Sequence, residues 1–175
     1  FFGNSVASPL GFSDPATNTT AYVLAVVENV IPADLATLID APCSIRFLPN
    51  PFNDDWFLSE SQLTNSVNLF IDGTDTNSFS FTNSPQLIEV FFDTPCNLNE
   101  LYIGGTPATP SWNQNWTGGL SELILLAEPP TDRQRNALRR YLSLKYGLNL
   151  KTAPDVSIAS VLTTLGINAG GTFNS

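Results

Sequence analysis

The chain has 175 residues, a formal net charge of -9 and no histidine. Apolar residues make up 42% of it and charged residues 13%, a composition typical of one folded domain and not of a disordered segment. The negative charge disfavours nucleic acid and anionic lipid as partners, and no run is long enough to span a bilayer, so we expect neither nucleic-acid binding nor membrane insertion.

Strand-like runs bounded by turn residues follow one another along the chain. They cover residues 20–27, 43–48, 56–59, 66–72, 77–82, 86–93, 98–104 and 118–127. Val67, Leu69 and Ile71 alternate with polar or exposed positions, which indicates a strand with one buried face. Residues 86–92 and 120–126 are apolar on both faces and need cover on both sides. The pattern predicts an all-β fold of two packed sheets.

The sequence also predicts one C-terminal amphipathic helix over residues 131–146. Thr131 and Gln134 have the spacing of a capping box at its start, and Gly147 provides a left-handed C-cap. Apolar side chains recur at helical spacing at Ala137, Leu138, Tyr141 and Leu142. Such a helix is a candidate cover for one of the sheets.

Residues 1–148 are predicted to form the domain, and residues 149–175 an apolar, extended tail. Ile158, Val161, Leu162 and Leu165 could form one face of a short helix in this tail, and strand pairing is the alternative. An apolar terminus is a poor solvated segment, so we expect the tail to dock on its own domain or on a neighbouring subunit.

The two cysteines, Cys43 and Cys96, each follow a proline and precede an apolar run. They form either a disulfide or two buried thiols. With no histidine and no CxxC pair, the chain has too few ligands to close a zinc site.

Three stretches of the last third carry a family resemblance: WTGGLSELIL at 116–125, PTDRQR at 130–135 and YLSLKYGL at 141–148. Together they resemble the C-terminal signature of concanavalin A-like, laminin-G-type domains of bacterial and phage surface proteins. Residues 21–27, 69–73 and 101–105 are similar to earlier strands of such domains. The resemblance implies a two-sheet antiparallel jelly-roll sandwich and leaves the ligand open, since fold does not fix function.

Catalysis is not expected. The Glu-x-Asp-x-x-Glu spacing of β-glucan-cleaving relatives is absent, and glycoside cleavage needs two carboxylates beside one bond. Glu122 lies in an apolar run, with Glu89 the nearest comparable residue, and we interpret Glu122 as paired with an arginine of the helix or capping a turn. The sequence also lacks a nucleophile–base constellation.

A calcium site is the weaker of two binding hypotheses, and no other cofactor is expected. Asp54, Asp72 and Asp75 could supply hard oxygen ligands, but no complete calcium-loop pattern is present. Asp72 and Gly73 are read first as a hairpin turn.

Sugar recognition is the stronger hypothesis, because aromatic rings stack on pyranose faces and amide or carboxylate groups bond hydroxyls. The candidate ligand-binding residues are Trp112, Asn113, Asn115 and Trp116 in one loop and Asp55 and Trp56 in another. For the tryptophans the alternative is packing at the ends of the sheets.

These observations predict a non-catalytic recognition or adhesion module on a cell or virion surface or outside the cell. Its loop rim is expected to bind carbohydrate or protein. The alternative is a structural virion or surface-layer component, such as a capsid decoration, fibre or spike protein, that self-assembles through its sheet face and tail.

Overall fold

A computed structural model describes residues 10–12, 19–28, 30, 36–40, 45–49, 55–58, 67–98, 101–105 and 116–150. The chain divides into two compact units, Phe1–Pro129 and Pro130–Ser175. The predicted boundary between the domain and the tail, after residue 148, assigns the helix to the same domain as the residues before it. This boundary stays a prediction.

Two antiparallel sheets make up the described part of the first unit. Sheet I has the strand order β1–β9–β3–β4–β5 and contains β1 (Leu10–Phe12), β3 (Ala36–Asp40), β4 (Ile45–Pro49), β5 (Trp56–Leu58) and β9 (Leu101–Ile103). Sheet II has the order β10–β2–β8–β6–β7 and contains β2 (Thr19–Glu28), β6 (Val67–Ile71), β7 (Thr74–Asp75), β8 (Gln86–Asn97) and β10 (Gly119–Leu126). The prediction of a β-rich fold with two sheets and one helix is confirmed.

Side chains from both sheets form one hydrophobic core. Val23, Ala25 and Val27 enter it from β2, and Phe47 enters it from β4, where its ring meets Phe79 at a centroid distance of 5.4 Å. Removing such side chains from water stabilises a fold by about 1.5–3 kcal/mol each. Strand β2 pairs with both β10 and β8, so it lies in the interior of sheet II.

The centre of sheet II is buried on both faces. Tyr22, Leu24 and Val26 point away from the core residues of β2 and are nevertheless fully buried, as is Leu87 of β8. Residues 86–92 are predicted to be buried on both faces of the sheet. Gln86 to Val90 are all buried, which confirms the prediction for these residues. The second such run, 120–126, is only half-buried in β10 apart from the exposed Ser121.

The turn between β6 and β7 is a two-residue hairpin, as predicted. Ile71 pairs with Thr74, and the intervening Asp72 and Gly73 have φ angles of 49° and 82°. Two successive positive φ values match the right-handed twist of the flanking strands, and Asp and Gly adopt them at low cost.

Four strand assignments differ from the sequence prediction. The predicted strand at residues 77–82 is wrong: there Phe79 makes a single antiparallel bridge to Trp56. Three observed strands were not predicted, namely β1, β3 and β7. They are short, and β3 has no alternation because all of Ala36 to Ile39 is buried around a bulge.

The described part of the second unit contains helix α1, Asp132–Tyr146. The Thr131 hydroxyl accepts from the Gln134 N–H and the Gln134 side chain accepts from the Thr131 N–H, which is the predicted capping box. Gly147 ends the helix at φ 68°, and its N–H donates to the Ser143 carbonyl. The predicted helix and both caps are confirmed. No helix in the described ranges has the length and hydropathy to cross a membrane.

Candidate recognition surface

Both ends of the segment 106–115 are anchored on the sheets. The Gly104 N–H donates to the Leu38 carbonyl at 3.0 Å, and the Trp116 N–H donates to the Gly104 carbonyl at 3.0 Å. After Trp116 the chain continues through Thr117 and Gly118 into β10. The predicted ligand-binding residues Trp112, Asn113 and Asn115 belong to this segment and lie outside the described residues.

Trp116 itself is a core residue. It is 1% exposed, and its ring lies 5.6 Å from Phe81 and 6.3 Å from Phe47. A ring enclosed in this way offers no open face to a sugar, so the ligand-binding role considered for Trp116 is not retained. Its position instead anchors the end of the segment 106–115.

Trp56 and Asp55 separate into a buried and a surface position. Trp56 is 9% exposed, packs on Phe81 at 5.6 Å and exchanges two backbone hydrogen bonds with Phe79. The Trp56 ring, like that of Trp116, therefore packs against other side chains of the protein. Asp55 is half-buried and accepts a hydrogen bond from the Ser80 hydroxyl at 2.8 Å, so it remains a surface polar candidate.

The aspartates considered for calcium have different surroundings. Asp72 Oδ1 accepts from the Leu87 N–H at 2.8 Å, whereas Asp75 is exposed on β7. Asp54 lies outside the described residues. No group of three or more carboxylate or cysteine side chains within the described ranges could hold a metal ion.

Burial raises the pKa of the Asp72 carboxyl above its usual value, with the Leu87 N–H opposing and the nearby Glu89 adding to the rise. Because a raised pKa favours the uncharged acid, this environment works against cation binding. Asp72 therefore acts as a turn residue that also holds β8.

The register of sheet II separates Glu89 from Glu122. Glu89 is opposite Leu24, and Glu122 is opposite Val26, so both lie on one face with β2 between them. Two strand spacings and two residues along the strand put their Cα atoms about 12 Å apart. The two residues therefore lie on the same face of sheet II but on strands that are not neighbours.

Glu89 has a structural partner in Tyr22. Both residues are fully buried, and the Tyr22 hydroxyl donates to Glu89 Oε2 at 2.6 Å. A buried carboxylate is stabilised by such charge-assisted bonds. The predicted pairing of Glu122 with an arginine stays a prediction.

A second polar cluster, which the sequence analysis missed, lies on sheet I. Thr37 and Arg46 are opposite residues whose neighbours enter the core, so both point away from it. Arg46 Nη2 donates to Asp40 Oδ1 at 2.6 Å. Thr37 Oγ1 and Arg46 Nε are buried and have no hydrogen bond within the described residues. The signal in the sequence is that Arg46 is the one cation among the first 132 residues.

A third group lies where β10 begins. Glu28 is opposite Gly119, and the Ser121 hydroxyl donates to Glu28 Oε1 at 3.4 Å. A Cβ at position 119 would be 2.7 Å from Glu28 Cγ, so the Glu28 side chain lies over the glycine. Unlike Thr37, Glu28 is partly exposed. Its pairing partner Gly119 lies three residues after Trp116 in the chain.

Cys96, near the end of β8, is disulfide-bonded and 1% exposed. The chain has one other cysteine, Cys43, which lies outside the described residues. The predicted pair Cys43–Cys96 stays a prediction.

No family model, no curated protein and no solved structure matches the chain. The resemblance to laminin-G-type domains therefore rests on the residues quoted above.

Proposed function

We propose that the chain is a non-catalytic recognition module of jelly-roll, laminin-G-type architecture that binds carbohydrate through the rim formed by the segment 106–115. The observation that carries the proposal is the double anchoring of this segment. Gly104 and Trp116 are joined by a backbone hydrogen bond, and Trp116 is held in the core. A long segment fixed at both ends on a rigid scaffold is the usual arrangement of binding loops.

The composition of the segment fits this role. It contains one tryptophan, Trp112, together with Asn113 and Asn115. An aromatic ring provides a stacking face for a pyranose, and amide groups both donate to and accept from hydroxyls.

A surface or extracellular location is part of the proposal. The disulfide of Cys96 favours an oxidising compartment, because cytosolic reductants keep most thiols reduced.

The test is retention of the purified chain on an array of neutral and acidic oligosaccharides. We expect wild type to bind as a monomer, and Trp112→Ala to lose binding with an unchanged melting temperature. Leu144→Ala, a change at an exposed position of α1, serves as the control. Equal retention of wild type and Trp112→Ala would contradict the proposal, and so would hydrolysis of a β-glucan that Glu122→Gln abolishes.

Assembly is the second candidate function, and β10 favours it. This strand lies at one edge of sheet II as described, and its four consecutive apolar residues Leu123 to Leu126 are each partly exposed. Apolar strand edges are common sites of association. If deletion of residues 155–175 leaves the fold intact but converts an oligomer to a monomer in light scattering, the chain is a structural component. A wild-type monomer rules out this self-assembly.

A further inference from the structure

Strand β10 has the features of an unprotected sheet edge. Within the described residues it pairs with β2 on one side and with no strand on the other. Edge strands are usually protected against association by lysine, by proline or by being very short. Strand β10 has 8 residues, and none of them is lysine or proline. The N–H and C=O groups along its outer side are therefore suited to pairing with another strand.

The side chains of β10 near this edge are apolar on both faces of the sheet. Leu123 and Leu125 pack against the core. Ile124 and Leu126 alternate with them and point to the other face. All four side chains are partly exposed. A further strand would remove these exposed parts from water, so the edge favours an apolar partner strand.

A second copy of the chain offers such a strand, because two antiparallel copies of β10 are complementary to each other. Residues directly opposite each other in an antiparallel pair point to the same face of the sheet. A two-fold axis perpendicular to the sheet through Ile124 meets this condition and puts Leu123 of each copy opposite Leu125 of the other. Glu122 then lies opposite Leu126. Apolar side chains thus meet at the axis on both faces, and no carboxylate is opposite another.

Charge and backbone geometry disfavour the two neighbouring registers. An axis through Leu125 places Glu122 of each copy opposite Glu128 of the other. Like charges directly opposite each other destabilise a strand pair. An axis through Leu123 places Leu125 opposite the exposed Ser121, at the bulge of β10. The register centred on residue 124 is therefore favoured.

We infer that the outer edge of β10 is a docking surface for β10 of a second copy, antiparallel and centred on Ile124, so that sheet II continues from one copy into the next. The inference rests on the second candidate function, assembly, and names its partner; it does not depend on carbohydrate binding. One strand pair buries less surface than the roughly 1,200–2,000 Å² of stable complexes. The dimer therefore forms at high protein concentration, and the chain is a monomer at the dilute concentrations used on a sugar array.

Two lysine variants on the same face of β10 test the register. Ile124→Lys places two ammonium groups opposite each other at the axis, so the dissociation constant of the dimer should rise by about 10-fold. Leu126→Lys places each ammonium opposite Glu122 of the other copy, so this matched change should leave the dimer intact or tighten it. The measurement is sedimentation equilibrium from micromolar to near-millimolar concentration. High salt should narrow the difference between the variants, because it screens both charge pairs.

Cysteine variants test the geometry without adding charge. Opposite Cα atoms in an antiparallel pair are about 4.5–5.5 Å apart, within the range of a disulfide. Ile124→Cys should therefore give a cross-linked dimer on mild oxidation. In Leu126→Cys the two thiols would be four residues apart along the pair, with Cα atoms about 14 Å apart, and should not cross-link. This control also reports any exchange of the added thiol with the Cys96 disulfide.

Each outcome has a distinct meaning. The inference is overturned if both lysine variants dissociate alike, or if Leu126→Cys cross-links as well as Ile124→Cys. A wild type that is monomeric at every concentration overturns both the inference and the assembly function. If deletion of residues 155–175 dissolves a wild-type dimer that Ile124→Lys leaves unchanged, this inference alone fails and the tail carries the assembly.

Discussion

At the scale of single residues, the burial of Trp116 indicates that its ring packs in the core and does not stack on a sugar. Its ring packs against Phe47 and Phe81, and its Nε1 atom makes no hydrogen bond within the described residues. We expect Trp116→Ala to lower the free energy of unfolding by about 3–5 kcal/mol through the cavity it leaves. Trp116→Phe should cost clearly less, because no hydrogen bond is lost.

Urea denaturation of the two Trp116 variants measures this difference. Leu144→Ala is the surface control and should stay within about 0.5 kcal/mol of wild type. A Trp116→Phe variant as unstable as Trp116→Ala would mean that the indole nitrogen has a partner.

Asp72 gives a pH-dependent prediction at the same scale. Its pKa is raised in the folded state, so the neutral carboxyl favours folding, and that stabilisation is lost as the pH rises through the folded-state pKa. Asp72→Asn should therefore be more stable than wild type at pH 7. Asparagine also adopts the positive φ of this turn, and its carbonyl can still accept from the Leu87 N–H.

The measurement is the free energy of unfolding of Asp72→Asn and wild type between pH 3 and pH 8. The advantage of the variant should shrink towards pH 3. Asp75→Asn, a change at the exposed neighbour on β7, should show no comparable trend. An advantage that grows on acidification would reverse the sign and refute the assignment.

At the scale of elements, local sequence predicts helix α1 but does not predict strand β3. The helix has its caps within its own residues, and both Thr131 and Gly147 adopt the predicted conformations. Strand β3 is short and buried throughout, and a bulge between Thr37 and Ile39 removes its alternation. A short apolar run without alternation does not distinguish a buried strand from part of a helix.

The caps of α1 can be tested separately. Thr131→Ala should lower the free energy of unfolding by about 1 kcal/mol, because the Gln134 N–H loses its acceptor. At Gly147 nothing lies within 4 Å of an added Cβ, so Gly147→Ala should cost about 1–2 kcal/mol through its φ of 68° alone. Gly147→Asn should cost less, since asparagine tolerates this conformation. Equal losses for Ala and Asn, measured by thermal unfolding, would show that the cost is not conformational.

The wrong strand at 77–82 has a different cause. Phe79 and Phe81 alternate as they would in a ladder, but their rings serve a cluster with Phe47 and Trp116. Spacing by two residues predicts a hydrogen-bonded strand. Here it reflects only that the two side chains point in the same direction. Sequence periodicity reports which face is buried and not which backbone is the neighbour.

At the scale of the whole molecule, the predicted disulfide between Cys43 and Cys96 can be tested directly. We expect denatured but unreduced protein to have no free thiol by mass spectrometry. Reduction should lower the free energy of unfolding by about 4 kcal/mol, because a loop closed between residues 43 and 96 restricts the unfolded chain. The double variant Cys43→Ser/Cys96→Ser should be insensitive to reductant. Two free thiols, or a covalent dimer, would exclude the predicted pair.

The sequence by itself determined the features whose causes lie within a few residues. These are the β-rich class, the helix with its two caps and the Asp72–Gly73 turn, since each depends on local backbone preferences or on alternation. It also identified the loop composition on which the proposed function rests.

The tertiary structure decided which residues meet. The placement of Trp116 and Trp56 in the core, the separation of Glu89 from Glu122 and the approach of Glu28 to Gly119 all follow from strand order and register. Register depends on the packing of strands far apart in the chain, and a shift of one residue reverses every side chain. For that reason the contact between Glu28 and Gly119 could not be found from the sequence.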